Sequence, residues 1–434
     1  MIRFINHAAF VVTADGVSLL CDPWIAGPAF HNAWNLVTEE THEGLDRVDY
    51  IWYSHEHPDH FSLPFLKSIP EERRPHITIL YQRTADGRVA AVCRKLGYAV
   101  RELPHARPVD LGGGMRITCG TVPFYDSWAL IETPEHAILN TNDCILENPV
   151  RLSLIRKYVE RCDILFTQFS YANWQDSRYN PQARRDLAQE KLRRIRIQCE
   201  AFRPRFVVPF ASFVYFSHVE NAFMNADINT PAHAVAFIEA ECDATPVLLI
   251  PNETWDGQTA RSNAPAIAWW AQKYSEALGR TKRVAQESHD WHSLSEKADR
   301  MIARVKARNN YALITSMQRL GFVEKVDFQL IDGNRHVSFD WINGLCRLDE
   351  PSFRAIEIHS ESLAFILDND FGVDTVNVNA RFEGAREDKQ RMIRLFSVLA
   401  LNNTGRFVKI GQARRLFDRE FLQQGLRTIG MLGR

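Results

Sequence analysis

The segment Ser54-His55-Glu56-His57-Pro58-Asp59-His60 constrains this chain more than any other. It follows a short buried strand expected at Tyr50–Tyr53. Three imidazoles and a carboxylate this close together are poor surface decoration. Histidines two apart at a strand end chelate one ion from a loop, and the Asp and His that follow turn toward a second. Imidazole mixed with carboxylate suits zinc, iron or manganese. The candidate ligands are therefore His55, His57, Asp59 and His60, and the fold must bring further donors to the end of that strand.

Two later positions qualify. Asp143, in Leu139-Asn140-Thr141-Asn142-Asp143-Cys144, ends an expected strand and suits a bridging carboxylate, or else caps a turn. His218, in Phe213-Val214-Tyr215-Phe216-Ser217-His218, is the best late histidine for the second metal, the other reading being a packed histidine in an aromatic loop. Glu220 is a weaker substitute. Asp22 either orients a ligand histidine or caps a strand end.

Organisation follows from hydropathy and turn residues. Ala8–Thr13 and Val17–Cys21 read as a hairpin about Asp15-Gly16. Strands are expected at His76–Tyr81, Met115–Val122, Trp128–Glu132, His136–Asn140, Asp163–Thr167, Arg205–Pro209 and Pro246–Pro251, and helices at Pro181–Phe202 and Thr230–Ala240. Hairpins first and βα units after imply a layered α/β sandwich over residues 1–255. Residues 256–299 read as a helical connector, and 300–434 as a second α/β domain. Its expected strands are Val326–Ile331, His336–Trp341, Leu363–Leu367 and Val373–Arg381, and its closing helices Asp388–Leu401 and Gly411–Phe417.

With 434 residues and 45% hydrophobic content, the chain has ample material for two cores. A net charge of −1 gives no field that points to nucleic acid or an anionic membrane. The longest apolar runs, such as Phe206–Phe216, are too short to span a bilayer. The start lacks the pattern of a signal peptide. The eight cysteines form no C-x-x-C pair and are expected as buried free thiols in a reducing cytoplasm.

At these residues the chain resembles the metallo-β-lactamase superfamily, and within it the catalytic core of the CMP-N-acetylneuraminic acid hydroxylase family. The matching segments are Phe4–Ala8, Cys21-Asp22-Pro23-Trp24-Ile25-Ala26-Gly27-Pro28-Ala29-Phe30, Ser54–His60, Ile138–Cys144 and Pro209-Phe210-Ala211. The resemblance implies an αββα sandwich with metals at one edge, with an α/β domain appended. It also implies that His55 and His57 hold one ion, Asp59 and His60 the other, and that Asp143 bridges them. His7 would face the mouth of the site, so His7 and Asp59 are the candidate catalytic residues. Two departures stand out. No paired Cys/His set for the family's Rieske cluster is present. A third histidine expected before Trp128–Glu132 is also missing from Gly120-Thr121-Val122-Pro123-Phe124-Tyr125-Asp126-Ser127. Asp126 is the obvious replacement, with Tyr125 a second option, or Asp126 simply caps a turn.

Trp24, Phe30, Trp34, Tyr171 and Trp174 are candidates for an aromatic wall or plain core. The basic helix around Lys191, Arg193, Arg194 and Arg196 is a candidate phosphate contact or a solvated face. The carboxy-terminal domain resembles the sterol carrier fold through Leu363–Arg381 and suits a lid or a homodimer surface. The leading functional expectation is a diiron oxygenase, using O2 to hydroxylate or N-oxygenate a small molecule with electrons from an external reductase or ferredoxin. The alternative is a dinuclear zinc or manganese hydrolase of an ester, lactone or phosphodiester. A non-catalytic binding protein is the third reading.

Overall fold

The computed structural model describes residues 1–122, 126–146, 149–350 and 352–409. Two seven-stranded sheets lie face to face. The first runs, in spatial order, Thr254–Trp255, Ile2–Asn6, Ala9–Ala14, Val17–Cys21, Tyr50–Tyr53, Thr78–Gln82, Ala99–Leu103. Its first four strands pair antiparallel and its last four parallel. The second sheet repeats the plan. Thr245–Pro246, Phe206–Phe210, Ile164–Gln168 and Ala137–Asn140 are parallel, and Ser127–Glu132, Met115–Thr121 and Pro108–Gly112 continue antiparallel.

The period-two pattern of the strands explains the layering. Phe4, Phe10, Val12, Leu19, Cys21, Trp52 and Leu80 point between the sheets, where the Phe10 ring stacks on Phe166 at 4.2 Å. The alternate residues Ile5, Ala9, Val11, Leu20, Ile51, Tyr53 and Ile79 form a separate outer core, with Phe65 and Leu66 of helix Leu63–Ser68 and Val89 and Cys93 of helix Arg88–Lys95. On the far face, helices Pro181–Phe202 and Pro231–Glu241 cover the second sheet. The result is the αββα sandwich of the metallo-β-lactamase fold. The hairpin turn has Asp15 and Gly16 both at positive φ, as a two-residue turn matched to strand twist requires. The helix from Pro181 starts where Asn180 caps the Ala183 amide and ends where Arg203 turns left-handed.

Residues 256–299 contain helix Ala264–Gly279 and the first half of helix Trp291–Arg308. The second α/β unit has a five-stranded sheet ordered Gly344–Leu348, Arg335–Asp340, Val326–Leu330, Ile356–Ile358, Phe382–Glu383. Its core is continuous with Trp24, Phe30, Trp34, Tyr171 and Trp174, so these five aromatics are the packed seam between the two units.

The sequence reading needs correction in places. Leu363–Leu367 and Val373–Arg381 are not strands but lie largely in helices Ser360–Asp368 and Gly372–Asn379. Leu363, Ala364, Ile366 and Leu367 are all buried, a helical face inside a core whose β-branched neighbours imitate a strand. Pro246–Pro251 pairs only at its first residue, although Val247, Leu248 and Leu249 are buried. The expected helix Asp388–Leu401 is two, Arg386–Leu395 and Ser397–Asn403. The expected helix Gly411–Phe417 lies outside the described residues. All eight cysteines are free thiols. No helix among the described residues is long and apolar enough to cross a membrane.

Candidate metal centre

The carboxyl ends of the parallel strands meet at one edge of the sandwich, and the backbone there is strained. His7, Asp22, Asn142 and Ala211 all have positive φ, between 32 and 52°, though none is glycine. Such residues cluster where a fold must aim side chains at one point. Local polar groups stabilise these turns. The Asn6 Oδ1 accepts from the His7 amide, the Asn140 Oδ1 from Asn142, and the Asn142 Oδ1 from Asp143. The Ala211 amide donates to the His7 carbonyl at 2.8 Å and ties the two sheets together at this edge.

Two donor groups result. His55, His57 and Asp143 present ligand atoms within 4.8 Å of one another, and so do His7, Asp59 and His60. His55 Nε2 lies 2.9 Å from His57 Nδ1. His60 Nε2 lies 3.7 Å from Asp59 and 3.6 Å from Asp143 Oδ1, so Asp143 stands between the groups. His7 Nε2 is 3.6 Å from Asp59 Oδ2. Outer contacts fix the rings: Asp22 Oδ2 sits 2.9 Å from His60 Nδ1, and the Ser54 hydroxyl 2.9 Å from His55 Nδ1. That leaves Nε2 of both rings for the centre.

Both nitrogens of His7, Asp59 Oδ1 and His60 Nε2 are buried without a hydrogen-bond partner among the described residues. Polar atoms are rarely left so, because each costs about 1–3 kcal/mol. Burial alone would lower His60, but Asp59, Asp22 and Asp143 around it raise it well above the usual imidazole range. Burial works to raise Asp143, yet the His60 charge and hydrogen bond carry it well below the usual carboxylate range. Burial lowers His55, helped by His60 and His57, and raises Asp126 to about 6. This mixture of imidazole and carboxylate fits divalent cations held as a pair.

Of the residues singled out in the sequence, His55, His57, Asp59, His60 and Asp143 converge here. His7 is the donor that sequence reasoning had placed at the mouth rather than among the ligands. Asp126 joins neither group: its Oδ1 is 3.8 Å from His55 Nδ1, the nitrogen turned away from His57. Tyr125 lies outside the described residues. His218 is elsewhere, buried 3.8 Å from Glu220, with its backbone tied to Asn221 and Arg283 in the seam between the units. Trp24 packs edge-on against His7 and Phe30 against His57, so the wall at the site includes two of the five aromatics. In the basic helix, Arg193 pairs with Glu190 and Arg196 with Glu241, whereas Lys191 bonds Gln168, whose amide donates to Asp143 at 3.0 Å.

The second unit also reaches the site. Glu56, between the two ligand histidines, accepts from Arg88 at 3.1 Å on both oxygens and from Asn403 at 3.4 Å. Asp374 lies within electrostatic reach of His57 and Glu56. Neither contact had a signal in the sequence, because residues more than three hundred positions apart meet only through the fold.

Residues 1–117 match the beta-lactamase superfamily domain. Cytidine monophosphate-N-acetylneuraminic acid hydroxylase of Cricetulus griseus is 25% identical over 283 residues, covering 59% of this chain and 48% of the relative. The Sus scrofa enzyme of that name is 32% identical over 161 residues, covering 34% and 36%. The chain thus spans about half the length, or less, of the curated relatives it matches. Among solved structures, CmlA, a diiron beta-hydroxylase from Streptomyces venezuelae, is similar at 15% identity and TM-score 0.43, covering 58% of this chain and 53% of that one. An isothiocyanate hydrolase from Delia radicum gut bacteria is similar at 16% identity and TM-score 0.41, covering 59% and 98%.

Proposed function

We propose that this chain is a dinuclear iron oxygenase that hydroxylates or N-oxygenates a small molecule, with electrons from an external donor. The observation that supports this reading best is Asp143 standing between two donor groups, the first of which has two imidazoles and one carboxylate rather than three imidazoles. His55 through Nε2 and His57 through Nδ1, with Asp143, would hold the first ion, and Asp126, beside the outer nitrogen of His55, would have to swing inward to join them. His7, Asp59 and His60 would hold the second. A donor set richer in carboxylate is harder and more anionic, which suits iron better than zinc. A bound iron pair supplies the redox chemistry that activates O2.

The chain's own groups do the rest. Asp22 and Ser54 hold the outer nitrogens of His60 and His55, so the inner nitrogens stay aimed at the centre. Trp24 and Phe30 exclude water from one side. Gln168 orients Asp143, with Lys191 behind it. Asp59 and His7 face each other at 3.6 Å within the second group. The similarity to the hydroxylases supports the reaction class.

The test is metal analysis of protein from iron-supplemented cells, with oxygen uptake by the reduced form. The expected result is about two irons per chain and uptake that needs a reductant. Zinc or manganese alone, inertness to oxygen, and hydrolysis of an ester, lactone or phosphodiester would replace this reading with the hydrolase.

A further inference from the structure

A cleft of about 440 Å³ opens beside the metal edge, lined by Arg83, Pro104, His105, Arg107 and Thr121. Its place follows from the sheet order. The strands Tyr50–Tyr53, Thr78–Gln82 and Ala99–Leu103 lie side by side and parallel, so the loops after them share one edge. The first loop carries the donor histidines, the second Arg83, the third His105 and Arg107. Close contacts tie these loops together. Gln82 Nε2 donates to the Ser54 carbonyl at 3.1 Å, and the Arg83 amide to the Leu103 carbonyl at 3.1 Å. Thr121 pairs with Ser127, and the neighbouring Asp126 lies 3.8 Å from His55. The cleft and the donor histidines therefore lie along one edge of the first sheet.

The lining is cationic and uncompensated. Among the described residues no carboxylate lines the cleft, and neither Arg83 nor Arg107 is in an ion pair. The nearest acidic residues in sequence are engaged elsewhere, Asp86 with Arg88 at 2.6 Å, Glu102 with Arg94 at 3.3 Å, and Asp110 accepting from the Gly112 amide at 2.9 Å. His105 Nδ1 accepts from the Thr121 amide at 3.0 Å, which leaves its proton on Nε2. The imidazole is thus a hydrogen-bond donor even when neutral. Two guanidinium forks and an imidazole N–H around a volume of small-molecule size form a site for planar or tetrahedral oxyanions.

We propose that this cleft binds the anionic group, carboxylate or phosphoryl, of a small-molecule substrate whose reacting end extends along this edge to the donor histidines. The reacting end rests on the oxygenase reading; the anion site does not, and the experiment measures it separately. The full chain is titrated calorimetrically with inorganic phosphate and, in a second series, with succinate, and metal content and melting temperature are recorded alongside. Saturable binding of at least one anion is expected. In Arg83→Gln/Arg107→Gln its affinity falls about tenfold or more, while metal content and melting temperature stay as in the parent. Arg107→Gln alone gives an intermediate loss. Phosphate binding without succinate binding assigns the site to phosphoryl groups, and the reverse to carboxylates. Binding of neither, equal binding by parent and double variant, or binding of poly-glutamate but of neither small anion overturns the proposal.

Discussion

Two regions of this molecule gather histidines and carboxylates, and they differ in what lies at the centre. At the metal edge, His7, His55, His57 and His60 meet Asp22, Asp59, Asp126 and Asp143. At the seam between the two units, His31 and His218 meet Glu220 and Glu361. The seam already contains a cation. Arg381, 1% exposed, donates to Glu220 at 2.9 Å, to Glu361 at 2.6 Å and to the His31 carbonyl at 3.2 Å. Burial, and then that guanidinium, lower His31 and His218 to about 4. At the metal edge Lys191 bonds Gln168, whose amide donates to Asp143, and against burial the charges of His60, His55 and then Lys191 lower the Asp143 carboxyl. Buried carboxylates need a counter-charge. The seam has a guanidinium bonded directly to its carboxylates, whereas at the metal edge the positive charge beside Asp143 comes from the histidines and, across Gln168, from Lys191. Histidine density alone does not separate a candidate ligand set from a packed cluster; these two clusters differ in whether a guanidinium bonds the carboxylates directly.

The largest effect expected from this contrast is on metal content. His57→Ala should abolish metal binding at the first group and with it all activity, while the sandwich still folds, since the ligand loop lies outside both cores. His218→Ala should leave metal content as in the parent. Elemental analysis of the two purified variants, with circular dichroism to confirm folding, checks both. Full metal with normal turnover in His57→Ala, or metal lost in His218→Ala, would erase the distinction between the two regions.

The next effect is on stability, and it should run the other way. Arg381→Met leaves Glu220 and Glu361 buried without their guanidinium, and breaking a buried pair in this way costs about 3–5 kcal/mol. Denaturant unfolding of the variant should show that loss, with metal content unchanged. A variant as stable as the parent would mean that the seam carboxylates reach solvent and that Arg381 is no resident counter-ion.

Legibility in the sequence divides along the same line. The histidine loop was legible as a cluster because its candidate donors are local: His55, His57, Asp59 and His60 follow one strand end, and the structure brings them together. Asp143 was legible as a carboxylate at a strand end, and Asp22 as a partner for a histidine, which the 2.9 Å contact to His60 matches. His7 and His218 were not, because the choice between them is made by the sheets. The His7–Ala211 backbone bond puts the first strand's end at the site, and the pairing of Val214–Phe216 with Trp34–Leu36 draws His218 toward the seam. The short helices Ser360–Asp368 and Gly372–Asn379 were misread for a related reason. Buried on most sides, they lack the polar stripe that gives a surface helix its period.

The smallest expected effect concerns Asp126, and it sharpens what the metal edge needs. The carboxylate is part buried, raised by that burial to about 6, and closest to the outer nitrogen of His55. Two roles are open to a group so placed. As a ligand, it completes the first group in place of the missing histidine. As a hydrogen-bond partner, it only orients His55, a role the Ser54 hydroxyl already serves at 2.9 Å. Ser54 makes the orienting role redundant, and the ligand role needs the carboxylate to swing from the outer nitrogen of His55 toward the first group. Asp126→Ala should then weaken retention of iron at the first group by about one to two orders of magnitude, the usual range for losing one donor or its support. Asp126→His should restore binding and shift preference toward zinc, since imidazole is the softer donor. Competitive loading of the two variants with iron and zinc, read as metal per chain after dialysis, decides the matter. If both retain iron like the parent, Asp126 is a turn residue, and His55, His57 and Asp143 hold the first ion without it.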